Sequence, residues 1–211
     1  MTLSELYFYA FAMFILFLTP GPVWVVLLSQ IFSNGWSGGL PLAFGVIIAD
    51  FTWSLLAIIS VSSVSEAIPS ITNILTWVAV IFFLYLGYSL WKKPTYNLQS
   101  IKLSNISSKF NFKSVYLESF VTGLLVNFSN PKAILFYISI MPGFFILDRL
   151  SNQDILIIAS TSALVPFFGN LSLIALVSPV RQLMKSPEAQ KKLNKISAIM
   201  LFFVAALILL L

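Results

Sequence analysis

Six long apolar segments take up most of this 211-residue chain. A helix needs about 20 apolar residues to cross a hydrocarbon core of about 30 Å. Such segments are predicted at Leu6–Ile31, Gly39–Ser62, Pro69–Trp91, Val115–Met141, Asp154–Ser178 and Ile196–Leu211. The last one is short and is expected to include one further helical turn from the residues before it. Only 9% of the residues are charged, against about 25% in a soluble domain. The chain is therefore predicted to be an all-α membrane protein with six transmembrane helices.

The chain contains neither cysteine nor histidine. Their absence excludes disulfides, thiol redox exchange and acid–base relays that use an imidazole. It also excludes the usual zinc sites and haem ligation through histidine. The few ionisable residues inside the predicted helices form no nucleophile–base pair and no metal cluster. We therefore expect a protein that is not an enzyme and that uses neither a metal nor a cofactor.

Most basic residues lie in two predicted connections, between the third and fourth helices and between the fifth and sixth. They are Lys92, Lys93, Lys102, Lys109, Lys113, Arg181, Lys185, Lys191, Lys192 and Lys195. Lysine and arginine in short connections stay on the cytoplasmic side of a membrane. This distribution predicts that both termini lie outside. Membrane lipid, rather than nucleic acid, is the expected partner of these charges.

The basic connection at residues 92–114 divides the chain into two halves, 1–91 and 115–211, with three predicted helices in each. Because three is an odd number, the second half enters the membrane inverted relative to the first. Inverted repeats are typical of alternating-access carriers, whose binding site lies near the membrane midplane between the halves. The chain is therefore predicted to consist of two inverted three-helix repeats.

Proline and glycine or asparagine interrupt the first helix of each half, at Thr19-Pro20-Gly21-Pro22 and at Asn127–Lys132. Proline removes a backbone donor inside a helix but suits the first position of a new one, after a cap such as glycine or asparagine. Gly21-Pro22 and Asn130-Pro131 are therefore predicted to start half-helices within the membrane. Each start would turn free N–H groups and a positive dipole end toward the centre, where an anionic group would bind. The alternative is that these prolines only shape helix packing.

Two charged residues, Asp50 and Lys132, are predicted to lie near the midplane, where an unpaired charge is costly. In one interpretation they form a permanent buried ion pair. In the other they face a water-filled cavity, where Asp50 takes a substrate ammonium or a proton and Lys132 holds a carboxylate. The neutral polar residues Asn127 and Asn170 are interpreted as forming hydrogen bonds between helices.

Several motifs together resemble one family of transporters. They are Thr19-Pro20-Gly21-Pro22, the spacing from Gly45 to Asp50, Tyr85-Leu86-Gly87-Tyr88, the segment from Phe120 to Ala133 that contains Asn130-Pro131-Lys132, and Met141-Pro142-Gly143-Phe144. The chain resembles the lysine-exporter (LysE) translocator family, and within it the homoserine/threonine-efflux branch. The resemblance implies a small bacterial inner-membrane exporter of amino acids driven by the proton motive force. It places the site at Pro20, Gly21, Pro22, Asp50, Asn127, Asn130, Pro131 and Lys132, and it gives no role to Asn170.

The predicted function is secondary active export of an amino acid or a close derivative, by proton-coupled alternating access. The expected partners are the amino-acid substrate, protons and membrane lipid, and a homodimer is left open. The alternative is a passive channel for a small polar solute, because broken helices and a polar midplane fit a pore as well.

Overall fold

The computed structural model describes residues 1–68, 70–92, 114–176 and 186–210. In these ranges the chain forms eight α-helices, one short 3-10 turn at Leu147–Arg149 and no strand. The helices are α1 (Leu3–Leu18), α2 (Pro22–Asn34), α3 (Trp36–Ala67), α4 (Ile71–Lys92), α5 (Val115–Phe128), α6 (Pro131–Phe144), α7 (Asn152–Ala175) and α8 (Pro187–Leu210).

Four of the described helices, α3, α4, α7 and α8, are each long and apolar enough to cross a membrane. The short helices form two bent pairs: α1 and α2 meet at 59°, and α5 and α6 meet at 53°. Each pair passes the same test when it is taken as one span, which gives up to six spans. This confirms an all-α membrane protein whose first and fourth predicted helices are broken. The inverted relation of the halves 1–91 and 115–211 stays a prediction.

Four helices, α1, α3, α7 and α8, begin earlier than predicted, and the difference is largest for α8. Helix α8 starts at Pro187 rather than near Ile196, and the Ser186 hydroxyl accepts a hydrogen bond of 3.2 Å from the Ala189 N–H at this end. Helix α3 starts at Trp36, directly after Gly35, whose φ of +59° favours glycine. Ser186-Pro187 at the start of α8 and Gly35 at the start of α3 are local signals that the apolar runs alone do not include.

Helices α3 and α5 cross in backbone contact at a pair of glycines, Gly45 and Gly123. A Cβ atom on Gly45 would collide with the carbonyl oxygen of Phe120, and one on Gly123 would collide with that of Leu42. Just beyond this crossing, the Asn127 side-chain amide donates a hydrogen bond of 3.2 Å to the carbonyl oxygen of Val46. The absence of two side chains therefore brings the end of α5 against the middle of α3.

The end of α4 and the start of α8 carry basic residues side by side. Lys195 Nζ lies 5.6 Å from the centre of the Trp91 ring, and Lys92 Nζ lies 4.7 Å from that of Tyr88. One helix that flanks each basic connection, α4 and α8, therefore brings its basic residues to the same end of the structure. Most of the basic residues between them, at 93–113 and 177–185, lie outside the described residues.

Candidate functional site

A cavity lies between the two helix breaks, with walls from α1, α2, α3, α5, α6 and α7. The cavity has a volume of about 70 Å³, which is room for on the order of five water molecules. Its polar lining consists of Thr19, Asp50, Asn127, Asn130, Lys132, Tyr137 and Asn170. The remaining lining is largely apolar and includes Met13, Phe17, Trp24 and Val46. An apolar cavity with a few converging polar groups is typical of a small-molecule site.

Five of the eight predicted site residues line this cavity: Gly21, Asp50, Asn127, Asn130 and Lys132. The three predicted prolines do not line it. Pro22 and Pro131 begin α2 and α6, and Pro20 lies buried in the break between α1 and α2. The prolines therefore set where the half-helices start, and their neighbours supply the polar groups.

The ammonium group of Lys132 binds the open end of α1. Lys132 Nζ donates hydrogen bonds to the carbonyl oxygens of Leu16, at 2.9 Å, and Thr19, at 2.7 Å. The last carbonyls of a helix have no partner within it and carry its negative dipole end. A cation is therefore stabilised there, although Lys132 itself belongs to the first turn of α6.

Side chains from three other positions bind further carbonyls at this end of α1. Thr19 Oγ1 donates to Ile15 O at 3.1 Å, Trp24 Nε1 donates to Phe17 O at 2.8 Å, and Ser197 Oγ donates to Leu18 O at 3.3 Å. Breaking a helix inside a membrane exposes backbone groups that water cannot satisfy. Here the exposed acceptors at the end of α1 are satisfied by the surrounding protein.

Asp50 is bound by neutral donors rather than by the lysine. Its Oδ1 accepts hydrogen bonds from Asn127 Nδ2, at 2.8 Å, and from the Tyr137 hydroxyl, at 3.0 Å, and Asp50 is only 5% exposed. Within the described part of the chain, Asp50 and Lys132 form no ion pair. Both charged groups instead line the same cavity.

The two half-helices that start in the breaks differ at their first residue. Asn130 caps α6, because its Oδ1 accepts a hydrogen bond of 3.2 Å from the Lys132 N–H. Gly21 has no side chain with which to cap α2, and in the described ranges no acceptor binds the N–H groups of Val23 and Trp24. Free N–H groups are therefore present at the start of α2 and not at the start of α6, and the binding of an anion at either start stays a prediction.

Sequence comparison gives the family of this chain. The family model of the LysE type translocators matches residues 14–211, nearly the whole chain. The chain belongs to the LysE translocator family. The family description is that of a translocator rather than of an enzyme, and it agrees with the resemblance found in the motifs. The homoserine/threonine branch stays a prediction.

Curated relatives of this LysE family member cover most of its length. A leucine efflux protein of Enterobacter sp. is 28% identical over 89% of this chain and 85% of that protein. A leucine efflux protein of Salmonella choleraesuis is 28% identical over 71% and 68%, respectively. The uncharacterized membrane protein YrhP of Bacillus subtilis is 27% identical over 86% and 87%. No solved structure matches the chain.

Tyr137 is a cavity residue of this LysE family member that sequence reasoning missed. Its hydroxyl donates a hydrogen bond to Asp50 and also lies 3.3 Å from the carbonyl oxygen of Ser162. That carbonyl lacks its usual helical partner because Pro166, four residues later in α7, has no N–H. A proline inside a predicted helix indicates that one carbonyl of that helix needs a donor from elsewhere. The sequence could not indicate that Tyr137 supplies this donor.

Asn170 on α7 also lines the cavity, but it does not form the hydrogen bond between helices that the sequence predicted. It is 1% exposed, and its Oδ1 has no hydrogen-bond partner. The predicted bond between helices is formed by Asn127, which contacts α3, and not by Asn170 in the described part of the chain.

Proposed function

We propose that this protein exports an amino acid or a close derivative across the bacterial inner membrane by proton-coupled alternating access. Membership of a translocator family and relatives named leucine efflux proteins support this proposal. One observation carries it: uncapped backbone donors and a lysine ammonium share a cavity with a separate carboxylate. These groups complement the two charges of a zwitterion.

The carboxylate of the substrate would bind at the start of α2. The free N–H groups of Val23 and Trp24 lie at the positive end of this helix, where anions bind. Lys132 is adjacent, since a Cβ atom on Gly21 would lie 3.7 Å from Lys132 Nζ. An ammonium group has three N–H donors. Two of those on Lys132 are used by α1 carbonyls, so the third is left for the substrate.

The ammonium of the substrate would bind Asp50. The two hydrogen bonds to this carboxylate both end on Oδ1, and Oδ2 accepts none from the described residues. A neutral pair of donors orients the carboxylate without neutralising it, which leaves its charge for a cation. When the substrate leaves, the same group would take a proton, and this exchange would couple export to the proton gradient.

Export from proteoliposomes tests the proposal. The purified protein is reconstituted and tested with the proteinogenic amino acids and homoserine, with and without a pH gradient. We expect transport of one or a few amino acids, accelerated by the gradient. Transport of none of them would contradict the proposal.

Counterflow separates a carrier from the alternative, a passive channel. A carrier accelerates the movement of labelled substrate when unlabelled substrate is placed on the opposite side, and a pore does not. We expect acceleration with the amino acid identified in the panel. Equal rates with and without unlabelled substrate would favour the channel.

A further inference from the structure

Asn170 presents a buried polar group that no part of the described protein satisfies. Its side chain lines the cavity, its exposure is 1%, and no hydrogen bond reaches its Oδ1. Amide groups that are buried in proteins nearly always have partners, because an unpaired one is unfavourable. The oxygen itself is fully buried, so in this side-chain conformation it does not open onto the cavity that the residue lines.

The neighbouring residue fixes Asn170 beside the break between α1 and α2. A Cβ atom on Gly169 would lie 2.5 Å from the ring of Phe17, so this glycine lets the ring pack directly on α7. Phe17 in turn packs on Trp24, with 5.6 Å between the ring centres. Asn170 therefore lies next to the helix start at which the carboxylate of the substrate is proposed to bind.

The groups that line the cavity beside the start of α2 are mainly donors. Lys132 and the N–H groups of α2 are donors, and the α1 carbonyls of Leu16 and Thr19 are already bound by Lys132. The ammonium of an amino acid brings three further donors, of which Asp50 can bind only part. A second acceptor close to the carboxylate site would complete the binding of the ammonium, and Asn170 Oδ1 is an acceptor without a partner.

We propose that Asn170 is a substrate-binding residue whose side-chain oxygen accepts a hydrogen bond from the ammonium of the exported amino acid. The proposal rests on the proposed function. It makes the site selective for substrates with a free amino group next to the carboxylate. A half-turn of the amide about its last side-chain bond places its oxygen where the nitrogen now lies, without a change in the backbone.

Binding of two related probes to Asn170→Leu tests this role. Leucine has both the carboxylate and the ammonium, whereas isocaproate has the same carbon skeleton and carboxylate without the amino group. We expect Asn170→Leu to weaken leucine binding by about tenfold or more, since a hydrogen bond to a charged group is lost. Isocaproate binding should not change. Phe168→Leu, at a residue of the same helix that is 61% exposed, is the matched control and should bind both probes like the wild type.

Thermal unfolding of the same variants in detergent separates binding from a structural role. Because the amide has no protein partner, an apolar residue of similar size should leave the unfolding temperature unchanged or raise it. A lower unfolding temperature with unchanged leucine binding, or equal weakening of both probes, would overturn the inference. A wild type that binds no amino acid rejects the proposed function and this inference with it. A wild type that binds leucine and an Asn170→Leu variant that binds it equally well reject this inference alone.

Discussion

The ammonium of Lys132, in the first turn of α6, donates a hydrogen bond of 2.7 Å to the carbonyl oxygen of Thr19, which directly follows α1. The two residues are 113 positions apart in the chain. The break in the fourth predicted helix thus supplies the donor that the break in the first one requires. This bond joins the two interruptions into one site.

Replacement of this lysine should impair both transport and stability. In Lys132→Met the carbonyl of Thr19 loses its donor, and we expect unfolding to become easier by about 1 kcal/mol. Export should fall to background, because the carboxylate site loses its cation. Thermal unfolding and proteoliposome export measure the two effects. Lys92→Met, at the exposed end of α4, is the control and should export normally.

Neutralisation of Asp50 should remove the coupling to protons while the fold is kept. Asparagine at this position retains an oxygen for the Asn127 and Tyr137 donors, so Asp50→Asn should unfold near the wild-type temperature. Export driven by a pH gradient should be lost. Asp154→Asn, at the start of α7, serves as the control. An Asp50→Asn protein that exports at the normal rate with the normal pH dependence would show that this carboxylate does not carry the proton.

Addition of a cap to α2 should raise the stability of the protein and impair its export activity. In Gly21→Asn, the new side-chain oxygen would accept from the free N–H groups of Val23 or Trp24, as Asn130 does in α6. We expect a gain of a few tenths of a kcal/mol in the free energy of unfolding. Export should fall sharply, because the cap occupies the place of the substrate carboxylate. Normal export by Gly21→Asn would mean that the start of α2 does not bind the substrate.

The helix crossing at Gly45 should tolerate no side chain. Gly45→Ala would force α3 away from the Phe120 carbonyl, and we expect a loss of about 1–3 kcal/mol in the free energy of unfolding. Gly21→Ala is the matched control, because a Cβ atom there has only ordinary contacts from 3.7 Å outward. Its unfolding temperature should fall less than that of Gly45→Ala, because alanine there is only a poorer helix cap than glycine. Equal stability of both variants would contradict a close crossing.

The proposed sidedness can be measured with single cysteines, since the chain has none. Ser104→Cys should react with an impermeant thiol reagent only from the cytoplasm, and Ser65→Cys only from outside. The expectation follows from the basic residues between the third and fourth predicted helices. Labelling of Ser65→Cys from the cytoplasm alone would reverse the orientation.

The sequence predicted the breaks because proline acts locally. Pro22 and Pro131 each start a helix at the predicted residue, and the bends of 59° and 53° follow from them. These features depend on a few neighbouring residues, so a single sequence is enough to predict them.

The partners within the site depend on contacts across the fold and could not be predicted. Lys132 and Asp50 were identified as charges near the midplane, but the sequence did not indicate that carbonyls of α1 bind one and Tyr137 binds the other. The difference between the two half-helices follows from asparagine at one cap and glycine at the other. That difference was visible in the sequence, but only the geometry shows that the Asn130 side chain binds its own helix.

The bond from Lys132 to the end of α1 also sets an order for membrane insertion. During synthesis, Leu16 and Thr19 enter the bilayer 116 and 113 residues before the lysine that binds their carbonyls. Until residue 132 has emerged from the ribosome, these carbonyls have no donor from α6, and a bare acceptor in hydrocarbon is unfavourable. The nascent first bent pair, α1 and α2, is therefore expected to remain near the translocon, with its break hydrated, until the second bent pair arrives.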